Sequence, residues 1–154
     1  MKSYEKGFLA GCVATLPMTL AMVVMHRFLP KRERYPLPPT QITENLMEKT
    51  GIEKELNSEE KKTATWLNHF LFGATAGALY APLVGRLPLP GAVKGTLYGL
   101  SVWSGSYLGW LPAAGILRPA TQQPARRNAL MIAAHVIWGA AAGILVERLE
   151  EVRV

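Results

Sequence analysis

Four long windows without a charged side chain constrain this chain more than any other feature. No Asp, Glu, Lys or Arg occurs in residues 7–26, 63–85, 95–117 or 128–146. A helix rises about 1.5 Å per residue and a bilayer core is about 30 Å thick, so each window is long enough to cross it. Helices in soluble cores usually keep a polar stripe on their outer face. The windows therefore predict transmembrane helices rather than soluble core helices.

The predicted fold is an all-α membrane protein, a four-transmembrane-helix bundle forming a single membrane domain over residues 1–154. We place the spans at about 5–28, 62–84, 92–113 and 126–148. The long connection, residues 29–61, contains TQITENLMEKTG, which predicts a short helix at about 40–50 with Thr40 as its cap and Gly51 as its end. This helix either lies on the membrane surface or is solvated; both interpretations stay open. Asn57 should cap the second span.

The net charge of +6 and the pI of 9.7 come mainly from the loops, because charged residues are only 18% of the chain and avoid the four windows. A basic soluble protein would suggest nucleic acid as a partner, but basic loops of a membrane protein set orientation and contact anionic lipid. We therefore expect the lipid bilayer as a partner and no nucleic acid.

The positive-inside rule gives an orientation. Eleven basic residues fall on the side of the long connection: Arg27, Lys31, Arg32, Arg34, Lys49, Lys54, Lys61, Lys62, Arg118, Arg126 and Arg127. Six fall on the other side: Lys2, Lys6, Arg86, Lys94, Arg148 and Arg153. This difference predicts that the connection 29–61 is cytoplasmic and that both termini are outside.

The chain repeats one motif. HFLFGATAGAL at residues 69–79 returns as HVIWGAAAGIL at residues 135–145, whereas the match between the first and third windows is weak. We interpret this as two helical hairpins in a parallel repeat, since even-numbered units enter the bilayer in the same direction. Glycines four residues apart let helix backbones approach closely in lipid. The expected helix-packing glycines are Gly7, Gly11, Gly73, Gly77, Gly95, Gly99, Gly139 and Gly143.

The repeat also places a histidine at an equivalent position in the second and fourth spans. His69 and His135 should lie at similar depth, and His26 should lie toward the same membrane face. Each could be a neutral side chain that hydrogen-bonds a neighbouring helix. The alternatives are a shared haem b or metal-ion site, with His69 and His135 as ligands and His26 nearby, or a pH sensor.

Several absences argue against catalysis. No Asp or Glu lies in any window, and the sequence contains no HExxH motif, phosphate loop or plausible Ser/His/Asp set. The single cysteine, Cys12, can form no internal disulfide. We therefore predict a non-enzymatic protein without a cofactor, acting as an accessory or assembly subunit or as a small homo-oligomer. Gly105 and Gly109 favour an oligomer, since they exceed what one bundle needs.

GFLAGCVATLPM, WLNHFLFGATAG, KGTLYGLSVW and AAHVIWGAAAG together carry a resemblance to a family. The chain resembles the YagU-like small bacterial inner-membrane proteins of unknown function over most of its length, apart from about residues 30–60. The resemblance implies a multi-pass protein of the bacterial cytoplasmic (inner) membrane. It implies no enzyme class, and its His-x-x-aromatic-Gly steps correspond to His69, Phe72, Gly73 and His135, Trp138, Gly139.

Overall fold

The computed structural model describes residues 1–151, and within them it contains helices and no strand. The helices are α1 (Ser3–His26), α2 (Pro38–Thr50), α3 (Ser58–Val84), α4 (Gly91–Ser104), α5 (Leu111–Ala113) and α6 (Ala125–Glu151). A π-helical segment, Gly105–Trp110, joins α4 to α5. Short 3-10 turns occupy Lys31–Glu33, Ile52–Glu55 and Ala120–Gln122. The prediction of an all-α chain is confirmed for these residues. Arg153, which the orientation prediction includes, lies outside the described residues.

Helices α1 and α3 form an antiparallel pair in close backbone contact. A Cβ atom added to Gly7 would overlap the carbonyl oxygen of Gly77, and one added to Gly11 would overlap that of Gly73. Side chains any larger than hydrogen at these positions would force the two helices apart. The small residues therefore set how closely α1 and α3 approach.

Helices α4 and α6 make a second antiparallel pair of the same kind. A Cβ added to Gly95 would overlap the carbonyl oxygen of Gly139, and one at Gly99 would overlap that of His135. Gly143 lies against Gly91 in the same way. Close approach again depends on glycine on both helices.

The two pairs are joined through α1 and α6, which pack against each other, while α3 and α4 contact each other only sparsely. The indole N–H of Trp138 donates a hydrogen bond to the carbonyl oxygen of Gly11 across this central contact, at 3.1 Å. At the middle of α4, the Tyr98 hydroxyl donates to the carbonyl oxygen of Ala76 at 2.7 Å and connects α4 to α3. Beyond that bond the two outer helices leave space between them.

Helix α2 begins earlier than the sequence indicated. Leu37 is its N-cap and Pro38 and Pro39 form its first turn, so the expected capping role of Thr40 is wrong. Prolines are tolerated there because the first amides of a helix need no intrahelical acceptor. Gly51 ends the helix with a left-handed φ of 78°, as predicted.

Two further local predictions have different outcomes. Asn57 caps α3 by accepting hydrogen bonds from the amides of Glu59 and Glu60, which confirms that prediction. In α1, Pro17 removes one backbone hydrogen bond, and the sequence leads us to expect that Thr15 or Thr19 satisfies the freed carbonyl. That expectation is wrong, because the two hydroxyls instead donate to the carbonyl oxygens four residues before them, at 2.8 Å and 2.6 Å.

Among the described residues, two helices, α1 and α6, are long and apolar enough to cross a membrane. Helix α4 is only 14 residues long before the π-helical segment. Helix α3 is long enough, but Asn68 and His69 lower the hydropathy of its central part.

Candidate functional site

The space between α3 and the segment that follows α4 is a cavity of about 100 Å³. All four long helices and α2 contribute to its lining, which is mostly apolar and aromatic. Phe72 and Trp110 stand on its outer edge, 40% and 47% exposed, with their rings stacked at a centroid distance of 6.2 Å. The cavity thus has an apolar interior and an aromatic opening on the outside of the bundle.

The His69 side chain lines this cavity and is held by α1. Its Nε2 lies 3.1 Å from the hydroxyl oxygen of Thr19. Because that hydroxyl already donates its only hydrogen to the carbonyl oxygen of Thr15, Nε2–H of His69 must be the donor. The mostly apolar cavity favours the uncharged imidazole, and in that form Nδ1 of His69 has a lone pair.

The His135 side chain lines the same cavity from α6 and is almost fully buried. Its Nδ1 is 2.8 Å from the carbonyl oxygen of Met131, an atom that can only accept, so Nδ1 carries the hydrogen. This buried site favours the uncharged imidazole, in which Nε2 is a hydrogen-bond acceptor, and Nε2 has no hydrogen-bond partner among the described residues. The ring of Tyr107 meets the His135 ring edge to face at a centroid distance of 5.8 Å.

The structure separates His26 from the other two histidines. The Nε2–H group of His26 donates a hydrogen bond to the carbonyl oxygen of Tyr35, at 3.1 Å. His26 does not line the cavity. Within residues 1–151 no group of three or more His, Cys, Asp or Glu side chains is placed to hold a metal ion.

The π-helical segment supplies polar groups that have no acceptor. Ser106 and Tyr107 line the cavity and are 4% and 5% exposed, and neither hydroxyl is hydrogen-bonded to another described residue. Trp103 is on α4 and outside the cavity lining; its ring stacks on Tyr107 at a centroid distance of 6.2 Å, and its buried indole N–H has no partner among the described residues. A π-helical turn holds more residues than an α-helical one and occurs often at functional sites. Hydroxyls that line a mostly apolar cavity without a hydrogen-bond partner can bond to a ligand there, which makes Ser106 and Tyr107 candidates for binding.

Helix α2 covers one end of the cavity with Pro39, Ile42 and Leu46. It is attached to α3 by a hydrogen bond from Asn68 to the Thr43 hydroxyl, at 3.1 Å. The Asn45 amide also donates to the carbonyl oxygen of Ile116, at 2.7 Å. Side chains from the connection between α1 and α3 therefore close the cavity.

The loop before α2 is held by a single buried arginine. Arg127 donates to the carbonyl oxygens of Glu33 and Tyr35 at 2.9 Å each and to that of Pro36 at 2.8 Å. Its guanidinium also lies 3.6 Å from the centre of the Tyr35 ring, a cation–π distance. These contacts fix where α2 begins and so where it meets the cavity.

Sequence reasoning missed several of these residues. Arg127 was expected only to set orientation, and no role was assigned to Ser106, Tyr107 or Trp110. The available signal was GSYLGW, in which two glycines bracket polar and aromatic side chains inside an uncharged window. No periodicity indicates the Arg127 contacts, because its partners are backbone atoms more than 90 residues away in the chain.

A family model now adds to this geometry. The model of a family described as protein of unknown function, DUF1440, matches residues 18–144. The chain belongs to this family. The region matched to DUF1440 contains both His-x-x-aromatic-Gly steps and the π-helical segment, and it begins after Gly7 and Gly11. No curated protein and no solved structure matches the chain.

Proposed function

We propose that this DUF1440 protein is a multi-pass membrane protein that crosses the bilayer four times, through α1, α3, α4 with its π-helical continuation, and α6. The supporting observation is the outer surface of these helices, on which large apolar side chains are exposed. On α1 these are Phe8, Leu9, Val13, Leu16 and Leu20, and on α3 they include Leu67, Leu71, Leu79 and Leu83. Water would disfavour so large an apolar surface, whereas lipid tails solvate it.

The proposal includes a parallel repeat of two hairpins. Gly7 and Gly77 make the contact in the first pair that Gly91 and Gly143 make in the second. Gly11 and Gly73 correspond in the same way to Gly95 and Gly139. Duplication of one packing hairpin would account for this correspondence.

We place the protein in a bacterial inner membrane, as the resemblance to YagU-like proteins implies, with the connection 29–61 in the cytoplasm. Reporter fusions test this orientation. A periplasm-active reporter should work after residue 154 and fail when inserted near residue 56, and a cytoplasm-active reporter should do the reverse. A cytoplasmic C-terminus would refute the orientation, and an odd number of spans would refute the bundle.

The proposed role is non-enzymatic, as an accessory or assembly subunit or a small homo-oligomer. A Cβ added to Gly105 or Gly109 would meet no atom within 4 Å, so both leave room for another helix. The mass of the protein in lipid nanodiscs tests this part of the proposal. A monomer that captures no partner from native membranes would count against it.

A second candidate function assigns His69 and His135 to a haem or a metal ion, because both line one cavity and each has a free lone pair. The fit is poor. A porphyrin needs far more space than about 100 Å³, and two imidazoles leave a four-coordinate metal incomplete. Purified protein with a Soret band that His135→Leu removes would establish this candidate, and a colourless preparation without bound metal would refute it. A pH-sensing role would instead appear as an acid-triggered conformational transition that His135→Leu removes.

A further inference from the structure

We propose that the cavity between α3 and the π-helical segment binds a hydroxylated aromatic ring, a phenol-like group whose apolar substituent leads into the bilayer past the stacked rings of Phe72 and Trp110. The inference rests on the proposed membrane location for the route of entry. It rests on the cavity itself for the chemistry of the ligand.

The size and the aromatic lining of the cavity favour a ligand that contains a flat ring. Its volume of about 100 Å³ is of the order of an engineered apolar cavity of about 150 Å³ that takes up benzene. Tyr107, Trp110 and Trp138 present aromatic surfaces to it. Flat rings stack on such surfaces or meet them edge to face, which favours an aromatic guest over a branched aliphatic one.

The polar groups that line the cavity favour a ligand that carries a hydroxyl. Nε2 of His135 can only accept, whereas the hydroxyls of Ser106 and Tyr107 have hydrogens to donate and no acceptor in the described residues. A ligand hydroxyl can donate to the first and accept from either of the others. A ligand with only acceptors, such as a ketone, would leave the lone pairs of His135 Nε2 and His69 Nδ1 unsatisfied, and a hydrocarbon would leave these and both hydroxyls unsatisfied.

The opening of the cavity favours an apolar substituent on the ligand. Phe72 and Trp110 are the exposed members of the lining, and they lie on the surface that carries the large apolar side chains. A substituent on the ring would leave the cavity past these two side chains and meet lipid. The same ring chemistry could also arrive as a small free phenol, so the two sources need separate tests.

The first test compares matched ligands with the full chain in detergent, by calorimetric titration. Phenol should bind at least about tenfold more tightly than toluene, which has the same shape but no hydroxyl, because a site built for a hydroxyl penalises its loss. Equal affinities, or no binding of either, would overturn the proposal. Neither result depends on the orientation or number of membrane spans.

The second test uses variants. Tyr107→Phe removes one hydroxyl and should lower phenol affinity about fivefold to tenfold while leaving toluene binding unchanged. His135→Leu should remove the preference for phenol over toluene. Tyr80→Phe is the matched control, because Tyr80 is fully buried, has an unpartnered hydroxyl and does not line the cavity. An equal loss in Tyr80→Phe would overturn the assignment.

The third test separates the two sources in lipid nanodiscs. With 4-hexylphenol, binding should be tighter than with phenol, and Trp110→Ala should change the association rate of the alkylated ligand only. Tighter binding of phenol, with 4-hexylphenol excluded, would overturn the lipid route and leave a free phenol as the ligand. Failure of the protein to insert into nanodiscs would refute the proposed membrane location, while the result of the detergent titration would still stand.

Discussion

The two copies of the His-x-x-aromatic-Gly motif occupy different environments. In the α6 copy, His135 and Trp138 are 5% and 2% exposed, and the Trp138 indole is hydrogen-bonded to α1. In the α3 copy, Phe72 is 40% exposed and its ring lies at the mouth of the cavity. Similar sequences thus serve as core in one helix and as cavity edge in the other.

The difference follows from the order of the helices. Helix α6 packs against both α1 and α4, whereas α3 packs mainly against α1 and has a sparse contact with α4. A side chain on the face opposite the glycine contact is therefore packed against protein in α6, whereas in α3 it is exposed on the outer surface of the bundle. The sequence repeat reproduces the glycine contact within each helical hairpin. The position of the helix in the bundle decides whether its other faces are buried or exposed.

The largest expected effect compares the two aromatic residues. Trp138→Ala should destabilise the protein by about 3 kcal/mol, because it empties a buried site and removes a hydrogen bond to Gly11. Phe72→Ala should cost less than about 1 kcal/mol, because that ring is already largely exposed. Chemical unfolding in mixed micelles measures both. Equal costs would show that the two copies are energetically alike.

A smaller difference is expected between the matched glycines. Gly139→Ala should cost about 2 kcal/mol, because the new Cβ would overlap backbone atoms of Gly95. Gly73→Ala would instead overlap the hydroxyl of Thr15, a side chain that can be shortened. The apparent Tm in detergent should therefore fall more for Gly139→Ala. Adding Thr15→Ala should restore most of the loss at Gly73, and no rescue there would contradict the geometry.

The histidines give a third comparison, in which the loss of one hydrogen bond should cost about 1 kcal/mol of stability. Thr19→Val removes the acceptor of the His69 ring, whereas the acceptor of His135 is a backbone carbonyl that no side-chain change removes. Nitrogen NMR of the imidazoles should show His69 losing its Nε2–H tautomer preference while His135 keeps Nδ1–H. A change at His135 alone would contradict the assigned hydrogen bonds.

The smallest effect on stability is expected at Gly105. Its φ of −61° and ψ of −34° suit any residue, and an added Cβ would meet open space. Gly105→Ala should therefore leave the Tm unchanged or raise it. The gain in the free energy of unfolding should be less than about 1 kcal/mol. If copies of the chain pack through this face, Gly105→Leu should lower the oligomer mass in nanodiscs without lowering the Tm. A large Tm loss in Gly105→Ala would show that the open space is absent in solution.

Much of the local structure was predictable because its causes lie within one or two helical turns. The uncharged windows indicated the long helices, Asn57 indicated the start of α3, and Gly51 indicated the end of α2. The start of α2 differs from the prediction because Thr40 is a typical capping residue, whereas the actual N-cap, Leu37, has an apolar side chain that gives no capping signal. The candidate site was predictable in part: His69 and His135 share a cavity, but Tyr107 and Ser106 were missed because no nearby residue reveals that their hydroxyls lack partners.

By itself, the sequence determined that the described chain is helical and that glycines recur where two helices could approach. Those properties depend on spacing along one helix, which composition and periodicity record directly. Only the tertiary structure decided that α6 lies between α1 and α4, that Arg127 holds the loop before α2, and that α3 and the π-helical segment diverge around a cavity. These depend on contacts between residues far apart in the chain, and two similar motifs can therefore lie in the core in one helix and at the cavity opening in another.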